Sequence, residues 1–540
     1  MIDTKDETMY VEDAASETET SSAEQRHGAE LFEHERRLTL LQVFKTYPRI
    51  LLLSLAACSA GVLFGYDVIV NGASISLPSF LLYFGSMTPD HKPYLPSIWT
   101  SLWTAMSQLL QALGGLIAGF IADRIGRKYT IVGFSVISAA GVAVQFIAAS
   151  RGVLLAGKMI NGLAIGSILT VATTWASEIA PLRLRAPIQS AIVLFTVMMQ
   201  AFGLVAIRQQ VTIIEPRAFR FVFALQWIFC GLTGLSFLVV PESPTWLLLR
   251  NRAADAKRAV RTLYGPSNHP DARFAHIQHE VQLELLAQKA HGTGSFIDLY
   301  RGSNLKRTLT IHLLFFGVGL AGASFLAQSI YFLIIAGLPP INAFDVSCGG
   351  FGLAIFTIIA SWIYLDRLGR RSLWLGGVAG NFVIMLIIGC LAYSTAKASL
   401  WAIAILMNLL VCWQNTTLTS SSYIIAAELS SYRLRGKSQA IAIMSNAITT
   451  WLFNFVVPYM YNVDSGNLGA KTGFVFAGAS LLLFAASYFV VPNLKDFSTD
   501  EVDWLYESRI SVRDFAKYND GRARDGAVEL ALQKTRSQGA

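Results

Sequence analysis

Charged residues are scarce in this sequence. Asp, Glu, Lys and Arg make up 14% of the 540 residues, against 53% hydrophobic residues and a mean hydropathy of +0.48. Such a composition excludes an ordinary soluble two-domain protein and places the chain in a bilayer. Cysteines are few and odd in number. Cys58, Cys230, Cys348, Cys390 and Cys412 lie in or beside apolar runs without Cys-x-x-Cys spacing, so they read as small hydrophobes and not as a disulfide framework or metal site. No nucleophile paired with a base, set of metal ligands or phosphate-cradling loop stands out, so the reading is not an enzyme and implies no cofactor. The net charge of +8 is spread through short loops and forms no basic face interleaved with aromatics, which argues for membrane orientation and against nucleic acid.

What is present is a repeat. Gly119 to Lys128 reads Gly-Phe-Ile-Ala-Asp-Arg-Ile-Gly-Arg-Lys and closes a long apolar run with a cluster of charge. Asp366-Arg367-Leu368-Gly369-Arg370-Arg371 echoes it 243 residues later. Glu178, with Arg185 seven residues on, recurs as Glu428 with Arg435 at an offset of 250. Repetition on this scale in an apolar chain implies two parallel bundles, because a six-helix repeat returns each loop to the same side.

Apolar runs of about 20 residues, the length that crosses about 30 Å of hydrocarbon, fall into two groups of six. They span 50–72, 98–121, 129–149, 153–174, 187–207 and 218–240, then 309–332, 345–365, 372–393, 401–426, 438–461 and 471–491. The expected fold is therefore an all-α membrane protein with twelve transmembrane helices in two six-helix parallel repeats. Residues 50–240 form the first bundle and 309–491 the second. Basic residues concentrate on one side, including Arg124, Arg127, Lys128, Arg183, Lys306, Arg371 and Lys437, so both termini are expected in the cytoplasm. Residues 1–49 carry eleven acids against six Lys or Arg and read as a disordered acidic tail, without the apolar core of a cleavable signal peptide. Between the bundles, 241–308 opens Pro-Glu-Ser-Pro-Thr-Trp, and Ile277, Val281 and Leu285 recur every four residues. Short amphipathic helices under the bundle and a flexible linker both fit this stretch. Residues 492–540 form a polar C-terminal tail with no evident domain.

A charge inside a membrane helix is costly enough to imply function, and the first helix holds one in Phe64-Gly65-Tyr66-Asp67. Asp67 lies about 25 Å along that helix at about 1.5 Å per residue, in the outer half. Lys158, near the start of an inward-running fourth helix, is at similar depth. Together they could form a proton-coupling pair, since a carboxylate beside a cation can change ionisation as its surroundings change. A static ion pair that fixes helix packing is the alternative.

For the repeated loops, an acid at a helix end facing arginines would tie neighbouring helices on one side and hold a gate shut. That network comprises Asp123, Arg124, Arg127, Glu178 and Arg185 in the first half, and Asp366, Arg367, Arg370, Glu428 and Arg435 in the second. Topology signalling by positive charge is the competing account for any single arginine. Mid-membrane amides, Gln108, Gln111, Gln200, Gln226, Gln328, Asn381, Asn446 and Asn454, are candidates for a solute cavity or for hydrogen bonds between helices. Asn415-Thr416-Thr417 matches a glycosylation sequon but falls within the tenth span, where no glycosyltransferase reaches.

Phe-Gly-Tyr-Asp, the first Asp-Arg-x-Gly-Arg loop, Ser-Glu-Ile-Ala-Pro, Pro-Glu-Ser-Pro-Thr-Trp and the second Asp-Arg-x-Gly-Arg loop, in this order, resemble the sugar porter branch of the major facilitator superfamily over residues 50 to about 495. Asn415 to Tyr423, Ala427-Glu428 and Pro458-Tyr459-Met460 look most like fungal α-glucoside permeases. The resemblance implies alternating access about a central site, commonly driven by protons, in the plasma membrane, with a sugar or glycoside as solute. The sequence departs from the pattern where sugars are bound. Val318-Gly319 and Ser324 replace the glutamine pair and asparagine of the seventh helix, Val193 a glutamine of the fifth, Thr419-Ser420 a Gly-Pro of the tenth, and Lys158 an arginine of the fourth. Gln200, Ser324, Gln328 and Asn446 are the expected cavity contacts. The losses leave open export of a more apolar metabolite on the same scaffold and, more remotely, a non-transporting nutrient sensor. Expected partners are thus a small-molecule solute, protons and the lipid bilayer.

Overall fold

The computed structural model describes residues 40–89, 91, 93–291, 296–364, 369–394, 396–430, 434–494, 497, 499–508 and 510–518. The apolar runs are helical, ten of them without interruption among the described residues, because in hydrocarbon only a helix satisfies every backbone N–H and C=O within its own segment. The first bundle contains Pro48–Ala73, Ser97–Ile125, Arg127–Ile147, Arg151–Ile179, Leu182–Gln209 and Arg217–Val239 as its first to sixth helices. Ten helices of the described residues are long and apolar enough to cross a membrane.

In the second bundle the eighth, ninth, eleventh and twelfth helices are Pro340–Tyr364, Arg370–Leu391, Arg435–Tyr461 and Thr472–Val490. The seventh and tenth are irregular. The seventh runs Gly302–Leu320, breaks, and resumes as Ala323–Ala327 and Ser329–Ile335. Gly322 stands at the break with φ +90°, a conformation a side chain resists. Its freed backbone is repaired from neighbouring helices, as Asn381 Nδ2 and Gln414 Nε2 both donate to the Ala321 carbonyl, at 3.0 and 2.8 Å. The tenth runs Lys397–Gln414, widens into a π-helical turn over Asn415–Thr419, and continues as Ser420–Leu429.

The bundles meet through the second helix on the eleventh and the fifth on the eighth. Their polar ties sit at the end opposite the basic loops. The Leu95 N–H donates to Tyr331 Oη at 2.8 Å, Asn462 Nδ2 to the Leu95 carbonyl at 2.6 Å, and Ser101 Oγ to the Phe455 carbonyl at 2.7 Å. Ser97 bonds Asp464, and Arg208 pairs with Asp345 at 2.8 Å. The bundles are thus tied to one another along a seam at the end opposite the basic loops, the outer seam under the expected orientation.

Order extends beyond both expected tail boundaries. Leu40–Thr46 is helical and buries Val43, while Tyr47 packs edge-on against Tyr264 of the connecting segment. Between the bundles lie the helices Pro244–Leu249, Ala253–Tyr264 and Pro270–His291. After the twelfth helix, Thr499–Glu507 docks on the second bundle, where Asp503 pairs with buried Arg307 and Tyr506 lies under its guanidinium.

Candidate functional site

Asp67 is 2% exposed, and four amide groups converge on it. Asn71, one turn further along the first helix, donates Nδ2 to Oδ2 at 2.9 Å, and Gln111 of the second helix donates Nε2 to the same oxygen at 3.1 Å. Asn161 of the fourth helix and Gln226 of the sixth donate to Oδ1 at 2.7 and 3.1 Å. Four N–H groups fill the acceptor sites of a carboxylate, so this charge is solvated by side chains in place of water. Lys158 is 1% exposed and makes no direct ion pair with Asp67. Its Nζ donates instead to Asn71 Oδ1 at 2.6 Å, which leaves Asn71 bridging the two charges.

Beside Asn71 opens a cavity of about 260 Å³ between the bundles. One part of its wall is apolar, with Val68, Ile69, Leu326, Ile330, Phe351 and Val411. The polar part is mainly amide, from Asn71, Gln108, Gln200, Gln328, Asn408, Gln414, Asn415 and Asn454, joined by the hydroxyls of Thr104, Ser329 and Ser347. No ionisable side chain lines it, so the wall suits a neutral solute that both donates and accepts hydrogen bonds. Gln328 accepts from Tyr461 Oη at 2.7 Å, while its buried Nε2 has no partner among the described residues.

Gln200 and Gln328 stand in this wall, whereas Ser324 and Asn446 do not. The break at Gly322 re-aims the chain, bringing Ala323, Leu326, Ala327, Gln328, Ser329 and Ile330 to the cavity and leaving Ser324 buried outside it. Asn446 lies two turns nearer the basic end than Asn454, about 12 Å at 1.5 Å per residue, and donates to Tyr423 Oη at 3.3 Å. Asn71, Asn408, Gln414 and Asn415 were not expected at the site. Only their polarity within apolar runs marked them, together with the fact that Asn408 follows Lys158 by the repeat offset of 250.

At the basic end, Arg127 is 7% exposed and grips Glu178 with two bonds, Nη2 to Oε1 at 2.9 Å and Nε to Oε2 at 3.2 Å. It also pairs with exposed Asp123 at 3.2 Å. Arg185 does not join Glu178. It starts the fifth helix beyond a turn at Ala180 and Pro181, is exposed, and bonds the Ala180 carbonyl at 3.4 Å. Arg124 is exposed, and its carbonyl and that of Asp123 receive Arg250 of the connecting segment. In the second half Arg370 meets Glu428 at 3.2 Å. Asp366, Arg367 and the Arg435 side chain lie outside the described residues.

Glu242 was not expected here. Its carboxylate accepts from the backbone N–H groups of Arg127, Lys128 and Ser243 at 3.0, 3.1 and 2.9 Å, and so caps the third helix. Gly126, with φ +99°, lets that carboxylate approach, since a Cβ there would lie 2.3 Å from Oε2. Burial pushes the Glu242 carboxyl above its ordinary value, against the lowering effect of those three N–H groups.

Comparison with known proteins places these features in context. The family model described as "Sugar (and other) transporter" matches residues 53–506. The MFS transporter fmqE of Aspergillus fumigatus is 39% identical over 521 residues, covering 95% of this chain and 97% of that one. The general alpha-glucoside permease of Saccharomyces cerevisiae is 26% identical over 488 residues, 89% of this chain and 79% of that protein. Among solved structures, the inward-open xylose transporter XylE of E. coli superposes with a TM-score of 0.67 at 18% identity, over 84% of this chain and 99% of that one.

Proposed function

Because the chain belongs to the sugar (and other) transporter family, within the major facilitator superfamily, we propose that it moves a compact, neutral, hydroxyl-bearing solute of sugar or glycoside type by alternating access coupled to protons. It is a multi-pass integral membrane protein and not an enzyme. The observation that carries the proposal is the chain Asp67–Asn71–Lys158, which joins a buried pair of charges to the wall of the central cavity. Each step has a physical basis. With the outer seam closed, solute and proton exchange with the basic side, which the positive-inside rule assigns to the cytoplasm along with both termini. Placement in the plasma membrane follows the family resemblance. A proton on Asp67 removes one of two charges buried together, which lowers the cost of rearranging the helices around them. The amide wall recognises hydroxyls, and the lack of ionisable groups rejects charged solutes. The volume lies just under the ~300 Å³ at which small-molecule sites begin, which favours a compact solute.

A second reading, export of a more apolar metabolite, is favoured by the aliphatic side of the wall at Val68, Ile69, Leu326 and Ile330. Uptake of labelled glucose, xylose and maltose by transporter-deficient cells, at two external pH values, separates the readings. Acid-stimulated uptake that Asp67→Asn abolishes supports the symporter. A surface-localised protein that takes up none of them at either pH overturns the sugar reading in favour of export.

A further inference from the structure

We infer that Asn71 is the positioning residue through which the central cavity and the buried charges act on one another, an inference that rests on the proton-coupled reading above. Among the described residues, only Asn71 both lines the cavity and bonds Asp67 and Lys158. Gln111, Asn161 and Gln226 hold Asp67 but stand away from the cavity, while Gln108, Gln200 and Gln328 line the cavity and do not touch Asp67. The bridge uses both ends of one flat amide, with the oxygen on Lys158 and the nitrogen on Asp67. Rotating it toward a solute therefore breaks both contacts at once, and a change in the charge of Asp67 alters the pull that holds the amide on the two charges.

Few other groups compete for this role. The titratable groups facing Asp67 are Lys158 from the fourth helix and Cys230 from the sixth, with Tyr66 beside it on its own helix bonded to the Val222 carbonyl. The second helix offers neutral Gln111 and Ser107, and the fifth meets the first through Thr196, its charged residues lying at its two ends.

The test needs no solute. In the full chain with its five native cysteines replaced by alanine, Ser101→Cys places one thiol in the closed outer seam, where it reacts with a maleimide only when the seam opens. Labelling rates in proteoliposomes are followed from about pH 5 to about pH 8. Asp67→Asn supplies the baseline for ordinary thiol chemistry. The background chain is expected to depart from that baseline roughly fivefold or more across the range. Asn71→Leu is expected to fall onto the baseline, and Asn71→Gln, which keeps the amide, to restore much of the departure. Asn71→Ser, too short to span both partners, repeats the test should the leucine variant not fold. An Asn71→Leu or Asn71→Ser profile that follows the background chain overturns the inference. A background chain that itself follows Asp67→Asn overturns the proton-coupled reading and this inference with it, and the two failures differ in which protein loses the pH response.

Discussion

Lys158 reaches Asp67 only through Asn71, at 2.6 Å on one side of the amide and 2.9 Å on the other. Both charges are fully enclosed, so each is tolerated because of the other. Lys158→Met should destabilise the protein by about 3 kcal/mol, at the low end for a broken buried pair because Asp67 can take up a proton instead. The double variant Asp67→Asn, Lys158→Met should recover most of that loss, giving a large interaction energy in a double-mutant cycle of thermal unfolding in detergent. Additive losses would mean that the amide shell isolates the two charges.

The two loops are similar in sequence, but their arginine–glutamate pairs are unequal in geometry. Arg127 is buried and holds Glu178 through two nitrogens, whereas Arg370 makes one bond of 3.2 Å to Glu428 with both side chains partly exposed. Two-point contact away from water is the stronger form. Arg127→Leu is therefore expected to cost about 3 kcal/mol and Arg370→Leu about 1 kcal/mol or less. Thermal unfolding of the two purified variants checks this, and equal losses would show that the second loop draws strength from elsewhere.

The repeat, the apolar runs and the two charges within them were legible because each is a local pattern that the bilayer enforces. The first helix, read as 50–72, is Pro48–Ala73. What escaped were consequences of irregular backbone. A continuous seventh helix would aim Ser324 inward, but Gly322 breaks it and turns that side chain away. A continuous tenth helix gave no reason to choose Asn415 as a cavity residue, yet it opens the π-helical turn and lines the wall, in keeping with the tendency of such turns to mark functional sites. Asn71 escaped for a different reason. A lone amide in an apolar run reads equally well as helix packing, and only the placement of the second, fourth and sixth helices shows what it joins.

Gln328, in the cavity wall, carries a side-chain donor with no partner among the described residues. Its Oε1 is taken by Tyr461 and its buried Nε2 by none of the described residues. A solute oxygen bonded there would contribute about 1.4 kcal/mol, a factor of about ten in affinity. On the proposed sugar reading, Gln328→Leu is therefore expected to raise KM for labelled glucose about tenfold while leaving the maximal rate and surface expression near those of the parent. An unchanged KM would confine Gln328 to fixing Tyr461.

Glu242 links pH to stability outside the membrane. Its native carboxyl value is raised by burial, which outweighs the three backbone donors. A native value above the unfolded one means that folding favours the protonated form. The contribution is therefore full below the unfolded value, about 4.3, and is lost as pH rises through the native value. Glu242→Gln does not titrate, and its amide nitrogen faces the Lys128 N–H where Oε2 accepted, at a cost of about 1–2 kcal/mol. The wild-type advantage in Tm over this variant should accordingly be largest near pH 4 and shrink toward neutral pH. Thermal unfolding across that range decides the sign, and an advantage that grows with pH would show that the N–H groups and the nearby Arg127 outweigh desolvation at this cap.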